Sequence, residues 1–409
     1  MSKIAMMSTG EEVLHGDITD TNAAWMSGRF FEAGLPLCKR STVGDEHKSL
    51  ADEMMMLALN HDVLIVNGGL GPTTDDLTAA VAAEISEQSL VLFPEWLKVL
   101  EAFYLSRNRP MPKSNIKQAM LPEKATIIDN PIGTACGFKM QIHDCWCYFT
   151  PGVPSEFKRM VDEQIIPDLL AMGDSSTAQT CHKIYTFGSS ESVISDTLDD
   201  LPLPEGFTLG YRSYQPFIEI KVFGPRQAEE SHYKVVEQIV ERMQAHVTSI
   251  DQPMLAALDD AVASKELLRI AIAEQSTAGH LCAMLSDYPH SHAAIHTGWV
   301  LHHDITGHLD DADPLAPALA LAEATREKSA VDIAVVTGPV DSQEVTIALA
   351  TPQGEWALRL KLLRKYNGNE LRIFISTVAC DMLLRYLTDR PVIAEYSSTE
   401  RLAYIQVEA

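Results

Sequence analysis

A glycine-rich segment between an apolar run and a helix-like run constrains this chain most. The segment covers 67–78, with the sequence NGGLGPTTDDLT, and follows the apolar residues 62–66. At the amino end of a helix such a turn presents backbone N–H groups, which form a cradle for phosphate. The adjacent carboxylates Asp75 and Asp76 can hold a divalent metal against that phosphate. The segment therefore predicts a metal-assisted nucleotide or phosphate-ester site. The alternative is a plain turn in which Asp75 caps the helix.

Composition and charge limit the classes of function. The chain has 409 residues, enough for two or three domains, and its 46% hydrophobic content is typical of a globular protein. With 32 basic and 56 acidic side chains the net charge is −24, which repels nucleic-acid backbones. Seven cysteines without a CxxC pair favour a reduced, cytoplasmic protein. We expect neither a signal peptide nor a membrane span.

Alternating strand and helix patterns predict an α/β fold whose N-terminal part is a parallel sheet covered by helices. Strand-like residues 4–9, 36–43 and 62–66 alternate with helix-like stretches that begin at residues 20 and 47. Ligands of such folds bind at the carboxyl ends of the strands. Glycine-containing polar turns occur at those ends and together predict one crevice. They cover 10–12, 44–45, 67–78, 130–137 and 151–156.

The rest of the chain divides into two further regions. Residues 175–250 have the pattern of a small α+β unit. Residues 254–404 restart an α/β pattern, in which a hairpin pairs 345–350 with 356–361 and a long helix covers 369–387.

Six motifs occur in order along the N-terminal part of the chain: STGEEVLHG at 8–16, DTNA at 20–23, TVGD at 42–45, GGLGPTTDDLT at 68–78, NPIGTA at 130–135 and PGVPSE at 151–156. Together they resemble the CinA family of competence/damage-inducible proteins, in its nicotinamide-mononucleotide amidohydrolase-like branch. The resemblance implies three domains. A MoaB/MogA-type, molybdopterin-binding-like domain over 1–172 would be a metal-dependent ADP-ribose pyrophosphatase. A KH-like α+β domain over 175–250 and a CinA C-terminal α/β domain over 254–409 would follow, and the last deamidates nicotinamide mononucleotide in many members.

The resemblance and the crevice together predict hydrolysis of ADP-ribose to AMP and ribose 5-phosphate. We expect Asp75, Asp76 and Asp45 to be catalytic. Asp75, Asp76 and Glu12 are expected to bind a divalent ion, either Mg, Mn or Co. The expected substrate-binding residues are Gly68, Gly69, Gly71, Thr73, Thr74, Asn22, Gly133, Thr134, Gly152 and Ser155.

Two alternatives to hydrolysis remain. One is a non-catalytic site for a molybdopterin or a nucleotide in the same crevice. The other is a regulatory role, in which the C-terminal domain serves assembly. The partners expected are a small nucleotide and a second copy of the chain in a homodimer, without nucleic acid or membrane.

The C-terminal region departs from the family's deamidase motif, Ala-Glu-Ser-Cys-Thr-Gly-Gly, whose serine is the nucleophile. Here the sequence AEQSTAG at 273–279 places Gln275 at that position, and an amide cannot attack a carboxamide. The stretch 299–308 lacks the family's activating lysine, and the glycine-rich turn shrinks to 337–340. We therefore expect no deamidase activity. The alternative is a hydrolase rebuilt around Ser276 and a histidine.

Overall fold

The computed structural model describes residues 3–172, 179–302 and 313–408. The chain forms two compact units, Met1–Thr180 and Cys181–Ala409. No helix in the described ranges is long and apolar enough to span a membrane.

The strands are β1 (Ile4–Thr9), β2 (Leu37–Val43), β3 (Val63–Asn67), β4 (Leu90–Leu92), β5 (Met120–Pro122), β6 (Thr126–Ile128), β7 (Gly137–Ile142), β8 (Cys145–Thr150), β9 (Gln179–Phe187), β10 (Thr208–Tyr214), β11 (Phe217–Pro225), β12 (Val247–Ile250), β13 (Ile270–Glu274), β14 (Ile295–Val300), β15 (Ile333–Asp341), β16 (Glu344–Thr351), β17 (Gly354–Leu362) and β18 (Thr399–Glu408).

The α-helices are α1 (Glu11–Leu14), α2 (Thr21–Glu32), α3 (His47–Asn60), α4 (Thr78–Ile85), α5 (Pro94–Ser106), α6 (Pro154–Met160), α7 (Ile166–Met172), α8 (Glu191–Leu198), α9 (Glu229–Met243), α10 (Met254–Ala263), α11 (His280–Ser286), α12 (Pro289–Ala294), α13 (Ala316–Ser329) and α14 (Gly368–Leu387). A 3-10 helix covers Lys113–Ala119, and a π-helical turn, Val161–Ile165, joins α6 to α7.

The first unit is built on a six-stranded sheet in the order β2-β1-β3-β8-β7-β6. Strands β1, β2, β3 and β8 are parallel, and β7 and β6 continue the sheet antiparallel. Alternate residues of β1 enter different cores: Met7 packs with Leu50 of α3, whereas Met6 packs with Phe30 of α2. Helices therefore cover both faces, which explains why β1 and β3 are buried along their whole length. The predicted α/β fold is confirmed.

The second unit contains two sheets. A four-stranded sheet, β10-β11-β9-β12, packs against α8 and α9. A six-stranded sheet follows in the order β14-β13-β15-β16-β17-β18, with β13, β14 and β15 parallel and the rest antiparallel. The predicted hairpin is confirmed as β16 and β17, and the predicted long helix as α14, which begins with a capping box between Asn367 and Glu370.

Candidate functional site

The polar turns of the first unit meet in a cavity of about 400 Å³ at the carboxyl edge of the sheet. Because the parallel strands all end at this edge, residues distant in sequence come together there. Nine of the expected site residues line the cavity: Gly68, Gly69, Gly71, Asp75, Asp76, Asp45, Glu12, Thr134 and Gly152. The structure thus brings most of the predicted residues to one crevice.

The glycine-rich turn requires glycine at its start. Gly69 has φ +67°, and a Cβ atom there would lie 2.1 Å from Oγ1 of Thr78. The Thr78 hydroxyl donates to the carbonyl of Gly68 at 3.0 Å and so fixes the turn to the first residue of α4. The N–H of Gly68 donates to the carbonyl of Thr150 at 2.9 Å. That group is therefore committed to the neighbouring strand end and is not part of a phosphate cradle.

The carboxylates in and beside the crevice accept hydrogen bonds from backbone N–H groups. Oδ2 of Asp76 accepts from the N–H of Thr73 at 2.8 Å and from its hydroxyl at 2.5 Å. Asp45 and Glu11 exchange hydrogen bonds: each carboxylate accepts from the other's N–H, at 3.2 and 3.1 Å. Burial raises the pKa of Asp45, and the nearby carboxylates of Glu12 and Asp75 add to the increase.

The expected metal ligands do not form a coordination set. No three side chains of His, Cys, Asp or Glu within the described ranges lie close enough together to hold a metal ion. With one oxygen of Asp76 bonded to Thr73, these residues do not fit a carboxylate cage for a divalent ion. A divalent cofactor stays a prediction, and no catalytic step follows from it.

Some expected residues lie outside the crevice lining, and others were missed. Thr73, Thr74, Gly133 and Ser155 do not line the cavity. Nor does Asn22, whose amide donates to Oδ1 of Asn67 at 3.0 Å and to the carbonyl of Gly152 at 2.8 Å, and so positions two strand ends.

Three lining residues that sequence reasoning missed are Thr9, Gln118 and Glu156. Thr9 and Glu156 belong to the motifs quoted above, which could have identified them as site residues. Gln118 lies in a stretch without a recognisable motif, so the sequence did not identify it.

A second turn, at the carboxyl end of β13, is organised by Glu274. This side chain is 1% exposed, and its carboxylate accepts from the N–H groups of Gly279, Leu281 and Cys282 at 2.9–3.0 Å. Ala278 and Gly279 have positive φ values of 52° and 91°. The buried carboxylate thus satisfies the first N–H groups of α11 and holds the residues 275–279 in a tight reversal.

The turn contains the positions at which the chain departs from the deamidase motif. The N–H of Gln275 donates to the carbonyl of Thr337 at 2.9 Å, and that of Ser276 to Gly338 at 3.3 Å. The hydroxyls of Thr277 and Thr337 lie 2.6 Å apart. The Ser276 hydroxyl oxygen is buried and has no hydrogen-bond partner in the described part of the chain. Most of the stretch expected to lack the lysine, 303–308, lies outside the described residues.

Comparison with known proteins finds relatives along the whole chain. A family model described as a probable molybdopterin binding domain matches residues 5–171. The CinA-like protein of Shewanella amazonensis is 38% identical over 421 residues, covering 98% of this chain and 99% of that protein. The nicotinamide-nucleotide amidohydrolase PncC of Shewanella oneidensis is 37% identical over 430 residues, covering 98% of this chain and 100% of that protein. The protein CinA from Thermoplasma acidophilum, known from a crystal structure, has 25% sequence identity and a TM-score of 0.38, covering 40% of this chain and 98% of that one.

The names of these relatives contradict the expected function. None of those quoted is named for ADP-ribose hydrolysis, and one of matching length is named for the nicotinamide-nucleotide amidohydrolase activity that was expected to be absent. The expectation of a pyrophosphatase was wrong, since the relative named for an activity is an amidohydrolase. That expectation read Asp75 and Asp76 as metal ligands, and in the structure Oδ2 of Asp76 accepts from Thr73. The expectation of no deamidase rested on Gln275, on the missing lysine in 299–308 and on the shortened turn at 337–340. It was wrong, because a relative that matches this chain along its whole length is named for that activity.

Proposed function

This chain belongs to the CinA-like protein family, and from that premise we propose that its C-terminal region hydrolyses the carboxamide of a nicotinamide nucleotide. The observation that carries the proposal is the full-length match to a relative named for this activity. The turn after β13 supports it, because a glycine-containing turn at the carboxyl end of a parallel strand is a common place for a catalytic group.

Ser276 is the residue in this turn that we assign as nucleophile. Gln275 has no electron pair suited to attack, since its amide nitrogen is delocalised into the carbonyl. The Thr277 hydroxyl is engaged with Thr337. Ser276 is half-buried, lies beside the positive-φ backbone of the turn, and has a hydroxyl without a hydrogen-bond partner among the described residues. Its oxygen is available for a new interaction once a substrate is present.

The reaction balances with serine and water alone. The Ser276 Oγ forms a bond to the carboxamide carbon, the C–N bond breaks, and the hydroxyl proton leaves on ammonia. Water then attacks the resulting ester, which restores the Ser276 hydroxyl and releases the nucleotide carboxylate. Glu274 positions the turn through its three accepted hydrogen bonds and does not take part in either transfer.

Ammonia release from nicotinamide mononucleotide by the full chain tests the proposal. We expect turnover by the wild type and a loss of at least about 1000-fold in Ser276→Ala, the scale at which removal of a covalent nucleophile acts. Brief incubation with substrate should also give a covalent adduct on Ser276, visible by mass spectrometry.

Ser286→Ala is the matched control. Its hydroxyl donates to the carbonyl of Cys282 at the end of α11, so this variant also loses one serine hydroxyl but leaves the turn unchanged. It should retain turnover close to that of the wild type. No ammonia release by the wild type, or undiminished release by a folded Ser276→Ala variant, would refute the assignment.

A second proposal concerns the N-terminal crevice, which we propose as a binding site for a phosphorylated small molecule. Its support is the Thr9 hydroxyl, which lines the cavity, is buried, and has no hydrogen-bond partner among the described residues. A buried hydroxyl without a partner is costly, and a ligand oxygen would remove that cost. The family model for molybdopterin binding covers the same residues.

Calorimetry with ADP as the probe tests this second proposal, with and without Mg²⁺. We expect Thr9→Val to weaken binding about fivefold, because one hydrogen bond is worth about 1 kcal/mol. Thr126→Val, in β6, removes an exposed hydroxyl away from the crevice lining and should bind ADP normally. Failure of ADP to bind under either condition, or equal affinity of Thr9→Val, contradicts the proposal.

A further inference from the structure

The largest cavity described in the second unit lies at the opposite end of the sheet from the Ser276 turn. Its volume is about 800 Å³, within the range of small-molecule sites. Leu268 and Ile333 line it just where β13 and β15 begin, whereas the turn follows the end of β13. The cavity is therefore separate from the site proposed for carboxamide hydrolysis.

One wall of this cavity is aromatic. The rings of Trp356 and Tyr386 lie 5.5 Å apart at an angle of 57°. The Tyr386 hydroxyl donates to Oε1 of Gln353, which fixes the ring. Trp356 is 6% exposed, and its indole N–H has no acceptor within the described ranges. Burial of such a donor without an acceptor costs about 1–3 kcal/mol.

Two cations on the cavity wall form no ion pair with a carboxylate in the described part of the chain. The guanidinium of Arg390 donates to the hydroxyl of Thr388 at 3.1 Å and to the carbonyl of Val247 at 2.7 Å, both of which are neutral. Lys265 also lines the cavity and makes no ion pair among the residues that the structure describes. Two carboxylates also line the cavity, those of Asp332 and Asp389, and the Asp332 carboxylate accepts from the N–H of Arg269. The cavity thus has two cations without an ion-pair partner among the described residues, beside an aromatic surface.

We propose that this cavity binds a small aromatic carboxylate. The ring would lie against Trp356 and Tyr386, and the aliphatic side chains of Leu268 and Val392 would cover further apolar area. The carboxylate would face Lys265 and Arg390. A purely aliphatic ligand leaves the aromatic wall unused, and a neutral one leaves both cations without a counter-ion. The volume suits one small molecule rather than a chain segment.

Calorimetric titration of the full chain with benzoate tests the proposal, with benzamide and cyclohexanecarboxylate as comparisons. Benzamide keeps the ring without the charge, and cyclohexanecarboxylate keeps the charge without the aromatic face. We expect benzoate to bind with a Kd of about 1 mM, a modest affinity suited to so small a probe. Each comparison compound should bind at least about fivefold more weakly, since a charge contact or an aromatic contact is worth about 1 kcal/mol.

Substitutions test whether benzoate binds in this cavity. Lys265→Gln should weaken benzoate about fivefold, whereas Lys361→Gln, which removes the same charge from β17 where Lys361 pairs with Glu400, should not. Tyr386→Leu should abolish the preference of the cavity for benzoate over cyclohexanecarboxylate. If Tyr386→Leu does not fold, the comparison of Lys265→Gln with Lys361→Gln tests the proposal by itself. No benzoate binding by the wild type, or binding unaffected by Lys265→Gln, overturns the proposal.

Discussion

At the residue scale, hydrogen-bond partners separate carboxylates that shape the backbone from those that face a ligand. Glu274 is the clearest example, since three backbone donors converge on one buried carboxylate. Asp20 has a comparable role at the start of α2, where it accepts from the N–H of Ala23 at 2.8 Å and from the Ser8 hydroxyl at 2.6 Å. Such residues position a site without touching the reacting atoms.

Glu274→Ala should therefore destabilise the protein and disable the turn. It leaves three backbone N–H groups, one buried and two partly buried, without their acceptor, and we expect a loss of about 2–4 kcal/mol in the free energy of unfolding. Glu274→Gln keeps one acceptor oxygen and should lose less. Urea denaturation of the two variants measures the difference. Equal stability of Glu274→Ala and the wild type would show that the three bonds contribute nothing.

Substitution of Asp45 should change the free energy of unfolding by an amount that depends on pH. Because burial and neighbouring carboxylates raise its pKa in the folded state, the folded protein holds this proton more tightly than the unfolded chain does. The free energy of unfolding consequently falls as pH rises from the ordinary pKa of Asp through the raised value. Asp45→Asn removes the charge and can still accept from the N–H of Glu11.

We expect Asp45→Asn to be more stable than the wild type at pH 7, by about 0.5 kcal/mol for this partly exposed group. The advantage should disappear at about pH 3, which is below the ordinary pKa of Asp, so that Asp45 is mostly protonated in both states. Thermal unfolding at the two pH values is the measurement. An equal gain in stability at the two pH values would mean that the charge of Asp45 does not cause it.

At the scale of elements, α14 carries a buried ionic contact that joins parts of the second unit. Arg385 donates to Oδ2 of Asp381 at 2.7 Å and to the carbonyl of Ala245 at 2.6 Å. The Tyr396 hydroxyl also donates to Oδ2 of Asp381, at 2.9 Å, and burial raises the pKa of that phenol. Both charged side chains are almost fully buried. Through Arg385 the helix contacts the segment after α9, and through Asp381 it contacts the segment before β18.

Asp381→Ala should cost about 3–5 kcal/mol, because it leaves the buried Arg385 charge uncompensated. The double variant Asp381→Leu with Arg385→Met should cost much less, since it replaces both charges with apolar groups. Chemical denaturation of the single and double variants provides the comparison. A double variant as unstable as the single one would show that packing, rather than charge burial, determines the loss.

At the scale of the whole molecule, the second unit contains two sheets. The sequence pattern assigns them to separate domains, 175–250 and 254–409. The rings of Phe187 and Tyr396 lie 5.0 Å apart, and Arg390 donates to Val247, so contacts cross that boundary. A three-domain division with a break at 250–254 stays a prediction. The crossing contacts argue that the two sheets depend on each other for stability.

We therefore expect a fragment of residues 181–409 to unfold in one cooperative transition. A fragment that begins at residue 254 should be less stable or fail to fold, because Arg385 and Arg390 lose their acceptors at Ala245 and Val247. Circular dichroism during heating compares the two. Equal midpoints for both fragments would favour an independent C-terminal domain.

Local patterns in the sequence were enough for much of the architecture. Fully apolar strands, a capping aspartate before α2 and the two-residue break between β16 and β17 are short-range features, which is why these elements were predicted close to their observed bounds. Family motifs at successive strand ends likewise indicated the crevice, because parallel strands bring their carboxyl ends to one edge.

The partners of individual side chains were decided only by the tertiary structure. Asp45 and Glu11 lie 34 residues apart in the sequence, and only the folded sheet lets each carboxylate accept from the other's N–H. The cavity between Lys265 and Trp356 likewise exists only because β13, β17 and α14 meet at one end of a sheet. Sequence neighbours determine local backbone preference, whereas burial and charge pairing arise from contacts between residues far apart in the chain.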